Sequence, residues 1–123
     1  MRSSTSGLGT PAGQTDDMSG RRGRESPRLT IIYWRDIPAQ VKARAGRTRV
    51  STPLPDRFMV AVDGAATRAG KTTHDEYIAE WREETRPCGE DLQVEADRAA
   101  KRIEEDYPPD LVRSYVRNGG WAP

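Results

Sequence analysis

The chain has 123 residues, of which 34% are hydrophobic and 32% charged, enough for one modest core and too few for a second domain. No stretch approaches the ~20 apolar residues of a membrane-spanning helix, and the N-terminus lacks the apolar region of a secretory signal, which predicts a cytoplasmic protein without a membrane anchor. The formal net charge of +1 is divided into +2 in residues 1–28, +4 in residues 29–70 and −5 in residues 71–123. This bipolar pattern favours an oriented protein partner over general nucleic-acid binding and leaves the oligomeric state open.

Residues 1–28 predict a disordered basic tail. The segment is rich in Ser, Gly, Thr and Arg and has no apolar period, so it cannot bury enough surface to offset the entropy of ordering. Nucleic-acid contact through its arginines is a weaker alternative, because short basic tails are usually only solvated. A single domain is expected over residues 29–118, followed by a flexible C-terminus at 119–123.

The first ordered elements are predicted to be strands. The segment Leu29–Arg35 is rich in β-branched and aromatic residues and apolar on both faces, which is typical of a buried strand. Ile37–Ala39 then breaks it, and Gln40–Ala45 alternates apolar with polar side chains as a half-exposed strand. We expect the two to form a hairpin, with Gly46 as a bulge after which Thr48–Val50 continues the second strand.

The rest of the chain is helical in pattern. A helix beginning at Pro55 carries an apolar stripe and ends at Gly70, which suits a left-handed C-terminal cap. Thr73 and Glu76 form a capping box for a short helix whose inner face includes Trp81. Two further helices are expected at Glu90–Tyr107 and Asp110–Arg117. The prediction is therefore an α+β fold, with an N-terminal β-hairpin packed on three or four short helices.

One segment fits a relaxed phosphate loop. Residues Ala65–Thr72 end in Gly70, Lys71 and Thr72, and they follow Phe58–Val62, which has the composition of a strand. In such a loop backbone N–H groups and the lysine hold phosphates while the hydroxyl binds magnesium, so these three residues are the nucleotide site of an alternative enzymatic hypothesis. The context argues against it, because no second apolar strand ending in an aspartate follows.

No catalytic or metal-binding residue is predicted. The one cysteine, Cys88, and the one histidine, His74, exclude an internal disulfide and a zinc site built from the usual ligands. Neither has a neighbouring group in the sequence that would activate it as a nucleophile or a base. The acidic runs that include Glu83 and Glu84 are explained by solvated helix surfaces. We therefore expect no cofactor and a non-enzymatic protein.

The predicted hairpin carries the candidate binding residues. At its tip, Trp34 can cover a pocket and Arg35, beside Asp36, can bind a carboxylate or phosphate. The alternative is that Trp34 belongs to the core and Arg35 pairs with Asp36 or Asp63, and packing roles are the commoner fate of such aromatic residues.

The second strand of the hairpin has only one predicted neighbour. Its outer edge is therefore expected to be open to a partner chain. Basic side chains on and after this strand would steer an acidic partner toward it: Lys42, Arg44, Arg47 and Arg49.

Three stretches together resemble a known family. They are Tyr33–Val41 (YWRDIPAQV), Leu54–Gly70 (LPDRFMVAVDGAATRAG) and Glu76–Arg82 (EYIAEWR), and they are similar in sequence and order to a small bacterial domain family described as a virulence factor. The resemblance covers about residues 29–107. It implies that the second motif is a helix and brings no catalytic residue with it. It also implies that the genes of the family lie beside genes for corrinoid and tetrahydrofolate methyl transfer. This gene neighbourhood implies an accessory protein that binds a methyltransferase or corrinoid protein.

Overall fold

The computed structural model describes residues 26–123 and the backbone of two short strands, Asp17–Met18 (β1) and Gly20–Arg21 (β2), which pair in parallel. Most of the tail predicted at residues 1–28 lies outside the described residues.

The centre of the molecule is a four-stranded antiparallel sheet. Its strands are Arg28–Trp34 (β3), Ile37–Ala45 (β4), Thr48–Thr52 (β5) and Trp81–Pro87 (β6), and their order across the sheet is β5-β4-β3-β6. The helices are Asp56–Ala69 (α1), His74–Ala79 (α2), Leu92–Asp106 (α3) and Pro109–Arg117 (α4). The predicted α+β class is confirmed.

The hairpin prediction is right in its pairing and wrong in its extent. β3 and β4 pair antiparallel, but Gly46, at φ 58°, makes a tight turn rather than a bulge. The chain reverses there into β5 as a separate strand, so β4 has neighbours on both sides. The bulge lies instead at Ala39, between the pairs of Gln40 and Pro38 with β3. Because a bulge interrupts the ladder, it lets a proline without an N–H sit inside β4.

Strand β6 was not predicted, and it begins at Trp81, which was expected to lie on the inner face of a short helix. The capping box of Thr73 and Glu76 is formed as predicted, but α2 stops at Ala79. The next seven residues pair along the whole of β3, from Trp34 opposite Trp81 to Arg28 opposite Pro87. β6 is an edge strand and almost wholly exposed, so its charged side chains remain in water and discourage pairing with other chains.

The core lies between the sheet and the helices. Helix α1 packs on β4 and α4, while α3 packs mainly on β4 and β5 and less extensively on β3. Helix α1 buries Phe58, Ala61 and Val62, and α3 buries five residues that include Leu92 and Ile103. These helices therefore cover one face of the sheet.

Candidate functional site on the open face of the sheet

The opposite face of β3, β4 and β5 carries a row of arginines. In β4 the exposed Lys42 and Arg44 alternate with the buried Val41 and Ala43, because successive side chains of a strand point to opposite faces. The register places Arg28 opposite Arg44, and Arg44 opposite Arg49. All three arginines of this row are exposed.

A second row of polar residues runs beside the arginines. Thr30 lies between Thr85 of β6 and Lys42 of β4, and Lys42 in turn lies opposite Ser51. The two threonine hydroxyls are 3.0 Å apart and share a hydrogen bond. We call the surface formed by the two rows the open face; its residues are Arg28, Thr30, Lys42, Arg44, Arg49, Ser51 and Thr85.

The open face contains a shallow hollow of about 250 Å³. Its cationic lining comes from Lys42, Arg44 and Arg49, and hydroxyl groups come from Thr30 and Thr85. Glu83 is the single carboxylate among the residues that line it and stands on the β6 side. Guanidinium, ammonium and hydroxyl groups all donate hydrogen bonds, so the hollow is suited to carboxylate or phosphate oxygens.

Three of the four predicted basic residues come together on this face. Lys42, Arg44 and Arg49 lie in neighbouring positions of β4 and β5, and Arg47 is exposed in the turn that joins these strands. The expectation of an open β4 edge is wrong, because β3 and β5 satisfy both edges of that strand. Any partner of these residues therefore meets side chains of a sheet face rather than a free backbone ladder.

Sequence reasoning missed the contributions of Arg28, Thr30 and Thr85. Thr30 lies within the predicted first strand, and Arg28 joins it on the same face once that strand is extended by one residue before Leu29. Thr85 could not be placed, because no strand was predicted around it and its partner Thr30 lies 55 residues away in the chain.

The residues of the predicted tip have a different environment at the far end of the sheet. Trp34 is fully buried, and its indole N–H donates to the carbonyl of Tyr77 at 2.9 Å. Arg35 adopts a left-handed φ of 53° and stacks between two indole rings, 5.3 Å from Trp34 and 4.8 Å from Trp121. Its Nε donates to Glu80 at 3.1 Å. Trp34 therefore belongs to the core, which was the alternative to a pocket cover. Arg35 pairs with Glu80 rather than with Asp36 or Asp63.

Asp36 and Arg35 fasten the C-terminal segment. Arg35 Nη1 donates to the carbonyl of Gly119 at 2.9 Å, and the backbone N–H of Asp36 donates to Gly120 at 2.9 Å. The Asp36 carboxylate accepts from the N–H of Ala122 at 2.9 Å and from Arg82 at 3.3 Å. Residues 119–123 were expected to be flexible, whereas these contacts attach them to the β3–β4 turn. The polar groups of the tip are thus occupied within the chain.

The segment that fits a phosphate loop forms a helix end. Phe58–Val62 lies inside α1, and Gly70, at φ 73°, caps that helix. The N–H of Gly70 bonds to Ala66 and Thr67, and the N–H of Lys71 bonds to Ala66 at 2.9 Å. These donors satisfy the last carbonyls of the helix, so they are not turned toward a ligand as phosphate-loop donors are.

The candidate base, His74, and the candidate nucleophile, Cys88, lie in surroundings that do not activate them. His74 is exposed at the start of α2. Burial and the neighbouring Glu95 carboxylate raise the pKa of the Cys88 thiol, so at neutral pH it carries its proton and is a poor nucleophile.

Within residues 26–123, no group of three or more His, Cys, Asp or Glu is arranged to hold a metal ion. No helix in the described part of the chain is long and apolar enough to cross a membrane.

Comparison with known proteins gives one match. The family model described as "Virulence factor" matches residues 32–116, well over half of the chain. The chain belongs to the Virulence factor family. No curated protein and no solved structure matches it. The family's description names no reaction, ligand or partner.

The Virulence factor match covers most, but not all, of the open face. The matched residues include Lys42, Arg44, Arg49 and Thr85, and they end before the C-terminal segment. Arg28 and Thr30 precede the match, although they complete the two rows of the open face. The Virulence factor domain thus supplies most of the open face, and residues just before it supply the rest.

Proposed function

We propose that this Virulence factor domain is a non-enzymatic accessory protein that binds an acidic surface of a protein partner on its open face. The observation that carries the proposal is the row of Arg28, Arg44 and Arg49 on three neighbouring strands. Three cationic side chains aligned across neighbouring strands form a continuous basic stripe. An anionic protein surface laid across this stripe is complementary to it in charge, so the arrangement favours binding.

The surrounding residues support a protein partner rather than a small substrate. The hollow is open to solvent and predominantly polar, and its lining includes three exposed cationic side chains, whereas small-molecule sites are usually enclosed and largely apolar. Exposed cations act chiefly by steering an oppositely charged surface and orienting it during association. A flat polar face with hydroxyl groups between its charges is suited to a polar protein surface.

We place the partner in one-carbon metabolism, as a corrinoid protein or a tetrahydrofolate methyltransferase. Support for this finer assignment comes from the family resemblance and the gene neighbourhood it implies. The geometry of the open face supports only the acidic character of the partner. The two parts of the proposal can therefore fail separately.

The test compares affinity capture by three versions of the full chain. In the first variant Lys42→Glu and Arg44→Glu reverse the centre of the open face. A matched control carries Arg98→Glu and Lys101→Glu on the exposed side of α3, which changes the net charge equally. Captured corrinoid and methyl-transfer proteins are quantified by mass spectrometry, and the affinity of each is then measured with purified components at low and high salt.

We expect the open-face variant to bind at least about tenfold more weakly than wild type at low salt, and the difference to shrink at about 0.5 M salt because screening acts on exposed charges. The control should bind as wild type does. Equal loss of binding in both variants would show that net charge matters rather than this face. Retained binding by the open-face variant would place the interface elsewhere, and the absence of methyl-transfer proteins from all captures would refute the metabolic assignment.

A further inference from the structure

Helices α1 and α4 leave an apolar groove between them on the outside of the molecule. Its volume is about 470 Å³. The buried Ala61 and Val112 form its floor, and Val60, which is 68% exposed, stands on its rim. At Gly64 the helices approach so closely that a Cβ there would lie 3.2 Å from a methyl carbon of Val116. An apolar groove between two helices is the kind of surface on which the apolar face of an amphipathic helix docks.

All the charged residues that line the groove are basic. Three arginines line it, Arg57, Arg113 and Arg117, and its lining contains no carboxylate. Arg113 pairs with Asp110 at the start of α4. Among residues 26–123, no carboxylate forms an ion pair with Arg57 or Arg117: Arg57 donates to the carbonyls of Glu104 and Tyr107, and Arg117 donates to the Ser114 hydroxyl. Positive charge thus remains along both sides of an apolar trough.

Arg57 also holds an unsatisfied donor. Its Nε is buried and has no hydrogen-bond partner, although its Nη2 donates to carbonyls at 3.2 and 3.3 Å. A buried N–H without an acceptor costs stability. Because Nε is buried, a ligand in the groove cannot satisfy it. The guanidinium nevertheless carries a positive charge at this end of the groove, which favours negative charge on whatever lies there.

We propose that this groove binds an amphipathic helix of a partner protein, with the apolar stripe of that helix on Val60 and Val112 and its flanking acidic residues at the three arginines. Two packed helices present ridges and grooves that receive a third helix, and an apolar stripe between acidic flanks is complementary to an apolar trough between arginines. The site is distinct from the open face, which consists of strand residues. It does not rest on the proposed one-carbon role.

The test begins with a display library of helical peptides, selected against the full-length protein and counter-selected against its Val60→Lys variant. Val60 is exposed and helical, so this substitution leaves the fold intact while placing a charged group on the apolar rim. We expect the selected peptides to carry apolar residues at helical spacing between Asp or Glu residues. A synthetic peptide of the selected sequence, labelled for fluorescence anisotropy, then gives affinities.

The matched control for Val60→Lys is Met59→Lys, which changes a neighbouring exposed residue of α1 that does not line the groove. We expect Val60→Lys to weaken peptide binding by about tenfold or more, as for a residue at the centre of an interface. Met59→Lys should leave it unchanged. The double substitution Arg113→Glu with Arg117→Glu should weaken binding of the acidic peptide and improve binding of its lysine-substituted counterpart.

Several outcomes overturn the proposal. They are selection of peptides without acidic flanks, equal effects of Val60→Lys and Met59→Lys, and failure to enrich any helical peptide. A dimer that Val60→Lys dissociates, seen by sedimentation, would make a second copy of the chain the occupant. Stronger peptide binding after removal of residues 1–25 would make the chain's own N-terminal segment the occupant.

Discussion

At the scale of single residues, two glycines occupy left-handed backbone positions, Gly120 beside the β3–β4 turn and Gly46 in the β4–β5 turn. Gly120 has a φ of 99°, and a Cβ there would lie 2.9 Å from Trp34 Cζ3 and 3.2 Å from Arg35 Cδ. Gly46 has a φ of 58°, but nothing lies within 4 Å of its hypothetical Cβ. The two glycines therefore share a backbone requirement and differ in their surroundings.

This difference predicts the effects of two alanine substitutions. Gly46→Ala should reduce the free energy of unfolding by about 1 kcal/mol, the cost of a left-handed conformation for a residue with a Cβ. Gly120→Ala adds a clash with a fully buried indole and should cost roughly 2–4 kcal/mol. Urea unfolding followed by tryptophan fluorescence measures both values. Equal losses at the two sites would contradict the packing of Gly120 against Trp34.

At the scale of elements, locally encoded structure is predictable from the sequence and long-range pairing is not. The helix ended by Gly70 and the capping box of Thr73 and Glu76 are formed as predicted, because caps and apolar periodicity act within a few residues. Strand β6 was missed because Trp81–Pro87 is exposed and charged, with no apolar alternation. Its strand conformation comes from pairing with β3, which a pattern within β6 does not record.

The candidate site was likewise predictable only where its features are local in the sequence. The alternation in Gln40–Ala45 correctly places Lys42 and Arg44 on the solvent side of β4. Their alignment with Arg28 and Arg49 depends on the register of three strands and on the turn at Gly46. The partners of Arg35 were also beyond sequence reasoning, because Gly119 lies 84 residues away in the chain.

The C-terminal segment should behave as part of the fold. Ending the chain after Asn118 removes the carbonyl that accepts from Arg35 and exposes the buried Trp34 next to Gly120. We expect a loss of roughly 2–4 kcal/mol in the free energy of unfolding, because Arg35 loses a hydrogen-bond acceptor and the Trp34 indole becomes exposed to water. Removing only Ala122 and Pro123 deletes two exposed hydrogen bonds, from the Ala122 N–H to Asp36 and from the Asn118 amide to the Ala122 carbonyl, and should cost about 1 kcal/mol or less. Equal stability of all three chains would show that the segment is dispensable.

At the scale of the whole molecule, the charged residues proposed to bind partners lie outside the core. The core cluster lies between Leu29 and Val112, and two of its residues, Ala61 and Val112, also form the floor of the groove between α1 and α4. The charged residues of the open face, and Arg113 and Arg117 beside the groove, are exposed. Charge changes on either surface should therefore alter binding more than folding. A single small domain can in this way carry two independent contacts, one governed by charge on the sheet and one by apolar packing between helices.

Residues 1–25 provide the last prediction, because the packing described for the domain begins after them. Within residues 26–123, the first contacts are the hydrogen bond from the Cys88 N–H to the Pro27 carbonyl and the pairing of Arg28 with β4 and β6. We therefore expect a chain of residues 26–123 to unfold with a free energy within about 0.5 kcal/mol of the full-length value. It should also keep the salt-dependent difference between wild type and the Lys42→Glu, Arg44→Glu variant, since the open face begins at Arg28. The control is a chain starting at Thr30, which lacks Arg28 and the buried Leu29 and should be destabilised by at least about 2 kcal/mol. A shorter chain that folds normally but no longer distinguishes the charge variant would assign the electrostatic contact to residues 1–25 instead of the sheet.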